Sequence, residues 1–209
     1  MIWQDVVSNV NIYGLEESVK GSKVPVQVDY AGQNEEVTER NVRVAQGESG
    51  IGQDYFLNGV IVQFDLTFTN KAWVQAERYH FLDFVSSQST MNRITKLDLN
   101  EVYNEYVDPR IIEIMKEKTR EYNELKSDIE ARMEEGKDVT TLNDLAGQKY
   151  LEILYSNPGG FRLTARMTTN YRQLKTIYAE RRNHRLPEWR AFCQWIETLP
   201  RSEFITHAV

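Results

Sequence analysis

The sequence predicts an α+β domain with few strands and long helices, and three observations carry that prediction. Residues 60–69 alternate: Val60, Val62, Phe64, Leu66 and Phe68 fall on one face, and Ile61, Gln63, Asp65, Thr67 and Thr69 on the other. That is the period of a half-buried strand. Phe161, Leu163, Ala165 and Met167 alternate in the same way with Arg162, Thr164, Arg166 and Thr168. Between them the apolar series Ile111, Ile112, Met115, Tyr122, Leu125, Ile129, Met133 returns at helical spacing. With no internal repeat and no low-complexity linker, the 209 residues are expected to form one domain spanning 1–209.

The remaining elements follow in chain order. Residues 24–30 alternate weakly and predict a short strand, with Pro25 at its start or on an edge. A helix is expected over 34–46, capped by Asn34, with Glu35 and Glu36 in its first turn and Gly47 at its end. A glycine-rich turn follows at Gly50-Ile51-Gly52-Gln53-Asp54. Asn70 caps a helix whose buried face holds Trp73, Ala76 and either Tyr79 or His80. The run Ser86-Ser87-Gln88-Ser89-Thr90 reads as a loop. Asp108-Pro109 starts the long helix, which Gly136 ends. Thr140 or Thr141 starts another, ended by Asn157-Pro158-Gly159-Gly160. Asn170 caps a helix with Leu174, Ile177 and Tyr178 inward. Pro187 opens the last one, with Trp189, Phe192, Cys193 and Ile196 as its apolar face.

Composition bounds the function. The chain is 41% hydrophobic and 27% charged, ordinary for a globular protein, and its net charge of −6 disfavours nucleic acid as a partner. One cysteine, Cys193, excludes an intrachain disulfide and a cysteine-rich zinc site, and its apolar neighbours mark it as core. His80, His184 and His207 are too dispersed to argue a metal site, and His207 is expected in a free tail. No charged leader precedes an apolar run, and no apolar stretch reaches membrane length. The expected location is cytoplasmic, in a bacterium or a virus-infected cell, with no membrane partner.

The two strongest strands end alike. Each runs into an asparagine able to cap a helix, Asn70 and Asn170, and each helix leads to arginines. Free N–H groups at a helix start and bidentate guanidinium groups both suit phosphate. The first cluster is Arg78, His80 and Arg93 with serines between; the second is Arg172, Arg181, Arg182, His184 and Arg185. Arg172 and Arg181, nine positions apart, face different ways on a helix. The plainer reading of such arginines is solvent exposure or pairing with Glu180 and Glu188.

Together these segments resemble the flavin-dependent thymidylate synthases. That family carries a strand, a helix ending in Arg-His-Arg, then a serine-containing loop closing on an arginine. Here Phe64-Asp65-Leu66-Thr67-Phe68 leads to Gln75-Ala76-Glu77-Arg78-Tyr79-His80 and then Ser87-Gln88-Ser89-Thr90-Met91-Asn92-Arg93. The family's second signature is Asn-Ala-Arg-x-Leu with a further arginine downstream, often followed by a tryptophan. This chain has Asn170-Tyr171-Arg172-Gln173-Leu174, Arg181 and Trp189. The resemblance covers roughly residues 34–198.

The resemblance implies transfer of a one-carbon unit from methylenetetrahydrofolate to C5 of dUMP, with FAD as cofactor and NADPH as reductant. It implies an α+β fold with a small antiparallel or mixed sheet and long helices, and a homotetramer with shared sites. Arg78, Ser89 and Arg181 are then the expected catalytic residues. Gln75, Arg78, Ser89, Arg93 and Arg181 would bind the nucleotide, and Arg78, His80, Gln88, Asn170 and Arg172 the flavin. No cysteine nucleophile is required. The departures lie on the flavin and folate side more than on the uridylate side. Arg-His-Arg has become Arg-Tyr-His, Arg78 and Arg93 stand fifteen residues apart, and Leu154 stands near where the family has an arginine. The family's His- and Thr-containing flavin loop is replaced by Ser49-Gly50-Ile51-Gly52-Gln53. A relative performing hydroxymethylation on a pyrimidine nucleotide, and a binding or structural protein that kept the fold without the cofactor, are the alternatives.

Overall fold

In the computed structural model, which describes residues 1–28, 34–47 and 52–206, the chain opens with strand β1 (Val7–Tyr13), helix α1 (Leu15–Gly21) and helix α2 (Glu39–Ala45). Strand β2 (Ile61–Thr69), helix α3 (Asn70–Ala76), strand β3 (Asp83–Ser87) and the short α4 (Thr90–Arg93) follow. Then come the long helices α5 (Pro109–Glu134) and α6 (Thr140–Ser156), strand β4 (Arg162–Asn170), α7 (Tyr171–Arg181) and α8 (Pro187–Ile196). The sheet order is β1-β2-β4-β3, with β1 antiparallel to β2 and β3 antiparallel to β4. Two compact units result: Met1–Phe68, Ala72–Ser87 and Thr164–Val209 form the first, Thr69–Lys71 and Gln88–Leu163 the second.

The core of the first unit rests on the alternation of β2. Val62, Phe64, Leu66 and Phe68 are fully buried. Their aromatic members meet α8: Phe64 lies 4.7 Å from the Trp195 ring and 5.7 Å from Phe192, and Phe68 lies edge-on 4.8 Å from Trp189. Large rings at these spacings combine apolar burial with favourable edge-to-face electrostatics. The opposite face of the sheet is polar. Thr67 shares a hydrogen bond with Thr164 at 2.7 Å, and Arg166 pairs with Asp65 at 3.2 Å.

In the second unit, α5 and α6 form an antiparallel hairpin. Asp108 caps α5, its Oδ1 accepting the Arg110 N–H at 2.9 Å, and Pro109 occupies the first turn where its missing N–H costs nothing. Gly136 ends the hairpin's first arm at φ 72°, a left-handed value that glycine takes without strain. Ile94, Leu99, Tyr103, Met115, Ile153 and Phe161 make the core, and Tyr122 packs on Tyr150 at 5.0 Å. Among the described residues no helix is long and apolar enough to cross a membrane.

Several expectations are corrected. Val24–Val26 is a 3-10 turn started by Pro25, not a strand. The helix expected from residue 34 starts at Glu39, because Thr38 and Asn41 form a reciprocal capping box while Asn34 instead accepts from the Lys23 ammonium. The helix after Asn70 stops at Ala76, so Tyr79 and His80 sit in the following turn, Tyr79 half-buried and His80 exposed. Ser86 and Ser87 belong to β3 rather than to a loop. Two strands went unanticipated, β1 and β3; both are sheet edges. Asp29, Tyr30, residues 49–51 of the glycine-rich turn and His207 lie outside the described residues.

Asn170 caps α7 as expected, its Oδ1 accepting the Gln173 N–H at 2.8 Å. Asn170→Ala is therefore expected to cost about 1 kcal/mol, read as a shift in urea midpoint at unchanged slope.

Candidate functional site

Two sequence segments, the end of α3 and the end of α7, meet at Gln75 and Arg181. The Arg181 Nη1 donates to Gln75 Oε1 at 3.2 Å, and the buried Trp189 donates its indole N–H to the same oxygen at 3.1 Å. The Arg181 Nε donates to Tyr79 Oη at 2.6 Å, and that hydroxyl donates to Glu180 Oε2 at 2.7 Å. The guanidinium carbon stands 5.4 Å from the Tyr79 ring centroid and 5.1 Å from that of Trp189, both within cation–π range. Burial, with the Glu180 hydrogen bond, pushes the Tyr79 phenol up to about 12, so it is a neutral donor through the physiological range. His184 lies 6.5 Å from Trp189; burial, then the Arg181 charge, hold its imidazole below its ordinary value. Its Nδ1 accepts the Leu186 N–H at 3.2 Å, which fits the neutral ring.

The start of α7 carries a different arrangement. Arg172 donates from Nε to Asp54 Oδ1 at 3.0 Å and stacks 4.4 Å over the Tyr55 ring. Lys175, one turn on and only 1% exposed, donates to Asp54 Oδ2 at 3.1 Å, to Ala45 O at 2.7 Å and to Gly47 O at 2.5 Å. Asp54 itself is fully buried. Both charges are therefore paired and hydrogen-bonded, the condition for holding ions out of water.

Two cavities flank this network. One, of 210 Å³, is lined by Asn58, Phe81, Asn170, Arg172, Gln173 and Thr176. The other, of 1050 Å³, includes Arg40, Arg43, Tyr55 and Phe56 in its lining. Arg172 lines the first and Tyr55 the second, so the stacked pair stands between them. The larger cavity was not read from the sequence. Its signal was present in Arg40 and Arg43, three apart on one helix face, but nothing local tied them to aromatic residues fifteen positions on.

The other expected site residues are placed as follows. Arg78 and His80 are exposed in the first unit, and their side chains meet no ion-pair partner among the described residues. Gln88, Ser89 and Arg93 belong to the second unit, where Gln88 and Arg93 are exposed and Ser89 half-buried. Gln75 and Arg181 are brought together directly, as are Asn170 and Arg172 around the smaller cavity. Cys193 is 2% exposed, and burial pushes its thiol up to about 12, which keeps it an inert core side chain. Among the described residues no group of histidine, cysteine and carboxylate side chains could hold a metal ion.

No family model matches the chain, and no curated protein does. Solved structures do. A flavin-dependent thymidylate synthase ThyX from Helicobacter pylori, complexed with FAD and dUMP, superposes with a TM-score of 0.59 at 12% identity, covering 96% of this chain and 98% of that one. A second structure of thymidylate synthase X from the same organism, also with FAD and dUMP, gives 0.58 at 13% identity over 96% and 97%. At such identity the likeness is one of fold.

Proposed function

We propose that this chain is a flavin-dependent, thymidylate-synthase-like enzyme acting on dUMP. The observation that carries the reading is the meeting of Gln75 with Arg181: two motifs over a hundred residues apart in sequence converge on one hydrogen-bonded, aromatic-walled cation. The fold likeness over nearly the whole chain to synthases that hold FAD and dUMP supports it.

In this reading Gln75, Arg181 and Arg78 bind the nucleotide. The donor set on the flavin side fits a dinucleotide. Arg40 and Arg43 suit its phosphates, Tyr55 and Phe56 its rings, and Arg172 keeps Nη hydrogens beyond its bond to Asp54. Asn170 and Gln173 offer amides to the smaller cavity, and His80 completes the proposed set. FAD, when bound, supplies hydride, with NADPH as the source and methylenetetrahydrofolate as the one-carbon donor. The chain's own part is electrostatic. Arg181, fixed between two rings, stabilises negative charge that builds on the pyrimidine as C5 becomes nucleophilic. A homotetramer with shared sites and a cytoplasmic location belong to the same proposal.

The test is spectroscopic and then chemical. The purified protein is expected to be yellow, with a flavin absorption spectrum, and to convert dUMP to a methylated product when given methylenetetrahydrofolate and NADPH. A hydroxymethyl adduct in the product mass would move the reading to the neighbouring reaction. A colourless protein that also shows no thermal shift with FAD would overturn both.

A further inference from the structure

We propose that Tyr79 is a positioning residue that holds Arg181 ready for the nucleotide and keeps it from closing on Glu180; this rests on the reading of Arg181 as a dUMP contact. The geometry has three parts. First, the Tyr79 hydroxyl lies between the two charges, accepting from Arg181 Nε at 2.6 Å and donating to Glu180 Oε2 at 2.7 Å. Both partners sit next to each other at the end of α7, where a guanidinium and a carboxylate would otherwise be free to pair with each other or turn to solvent. Second, the guanidinium is held by a second acceptor, Gln75 Oε1, itself fixed by the Trp189 N–H. Third, the rings of Tyr79 and Trp189, 5.9 Å apart at 69°, wall the guanidinium.

A guanidinium has five N–H groups in a fixed plane. Tyr79 takes the one on Nε and Gln75 takes one on Nη1. Both hydrogens on Nη2 and one on Nη1 remain for a ligand. Fixing the plane beforehand removes most of the ordering cost that a free arginine meets on binding. A phenol does this without adding charge. It stays protonated at neutral pH, so the Glu180 carboxylate is satisfied by a neutral donor and the arginine keeps its full charge for the ligand. The device was invisible in sequence, since Tyr79 is one of the two positions at which the Arg-Tyr-His triplet departs from Arg-His-Arg.

Tyr79→Phe tests it, because the ring stays against Trp189 and only the hydroxyl is lost. Calorimetric titration with dUMP is expected to show a Kd about tenfold weaker than wild type, while FAD affinity stays unchanged and the thermal midpoint falls only modestly. Adding Glu180→Gln to that variant removes the competing carboxylate and is expected to restore most of the lost affinity, which a purely structural role for the hydroxyl would not do. In the free protein, the Arg181 Nε–H resonance is expected to be protected from exchange in wild type and unprotected in Tyr79→Phe. Wild-type dUMP binding that Tyr79→Phe leaves within twofold overturns this proposal alone, as does a double variant as weak as the single one. Absence of dUMP binding by the wild type overturns the nucleotide reading and this proposal with it.

Discussion

Replacing Asp54 by alanine is expected to destabilise the fold by about 3–5 kcal/mol, the range for breaking a buried ion pair by removing one partner. The carboxylate is fully buried and holds two cations, Arg172 at 3.0 Å and Lys175 at 3.1 Å. Arg172 can turn to water, its side chain being 27% exposed, but the Lys175 side chain, at 2%, cannot. The ammonium would keep the Ala45 and Gly47 carbonyls and lose its counter-charge. The prediction therefore includes a second variant. Lys175→Met added to Asp54→Ala removes the stranded charge and is expected to recover part of the loss, a coupling that urea unfolding of the four proteins in a double-mutant cycle measures. A loss under about 1 kcal/mol for Asp54→Ala, the scale of an exposed pair, would show that the network contributes little.

The second large effect is at Trp189. Its side chain is fully buried, edge-on to Phe68 at 4.8 Å and to Phe192 at 6.0 Å, and its N–H holds Gln75. Trp189→Ala is expected to cost about 3–5 kcal/mol through lost burial and the cavity left behind. Trp189→Phe keeps much of the volume but leaves Gln75 without the indole donor; the lost hydrogen bond is worth about 1 kcal/mol. In that variant stability should fall modestly while dUMP affinity falls with it, since Gln75 no longer stands fixed beneath Arg181. Unfolding and calorimetry on the two variants separate the packing role from the hydrogen-bonding one. Equal losses of stability in both would place the whole effect in the indole N–H.

How far the sequence revealed the fold depended on burial. β2 and β4 were legible because one face of each is in the core, so apolar residues recur at every second position. β3 was not, because all five of its residues are exposed; Asp83, Phe84, Val85, Ser86 and Ser87 have no inner face to mark, and pairing with β4 alone makes them a strand. β1, the other edge, exposes most of its residues and breaks register between Ser8 and Asn11, with Asn9 at φ 51°. The site divides in the same way. Gln75, Arg181, Asn170 and Arg172 stood in recognisable motifs. Glu180 as the partner of Tyr79, and Asp54 as the partner of Lys175, did not, because each is defined by a contact across about a hundred or more residues. Nothing local tells a buried, paired lysine from one in solvent.

Helix α7 joins the two ends of this arrangement. It carries Arg172 against Asp54 near its start and Arg181 against Tyr79 at its last residue. Nine residues of α-helix set these anchors roughly 13 Å apart along the axis. One inserted or deleted residue would turn the second anchor by about 100° relative to the first. It would release either the buried carboxylate or the walled guanidinium. Length change is thus forbidden here and permissible at the exposed Gly136 turn between α5 and α6. Relatives of this chain are expected to differ in size in that hairpin while keeping the interval from Arg172 to Arg181 constant.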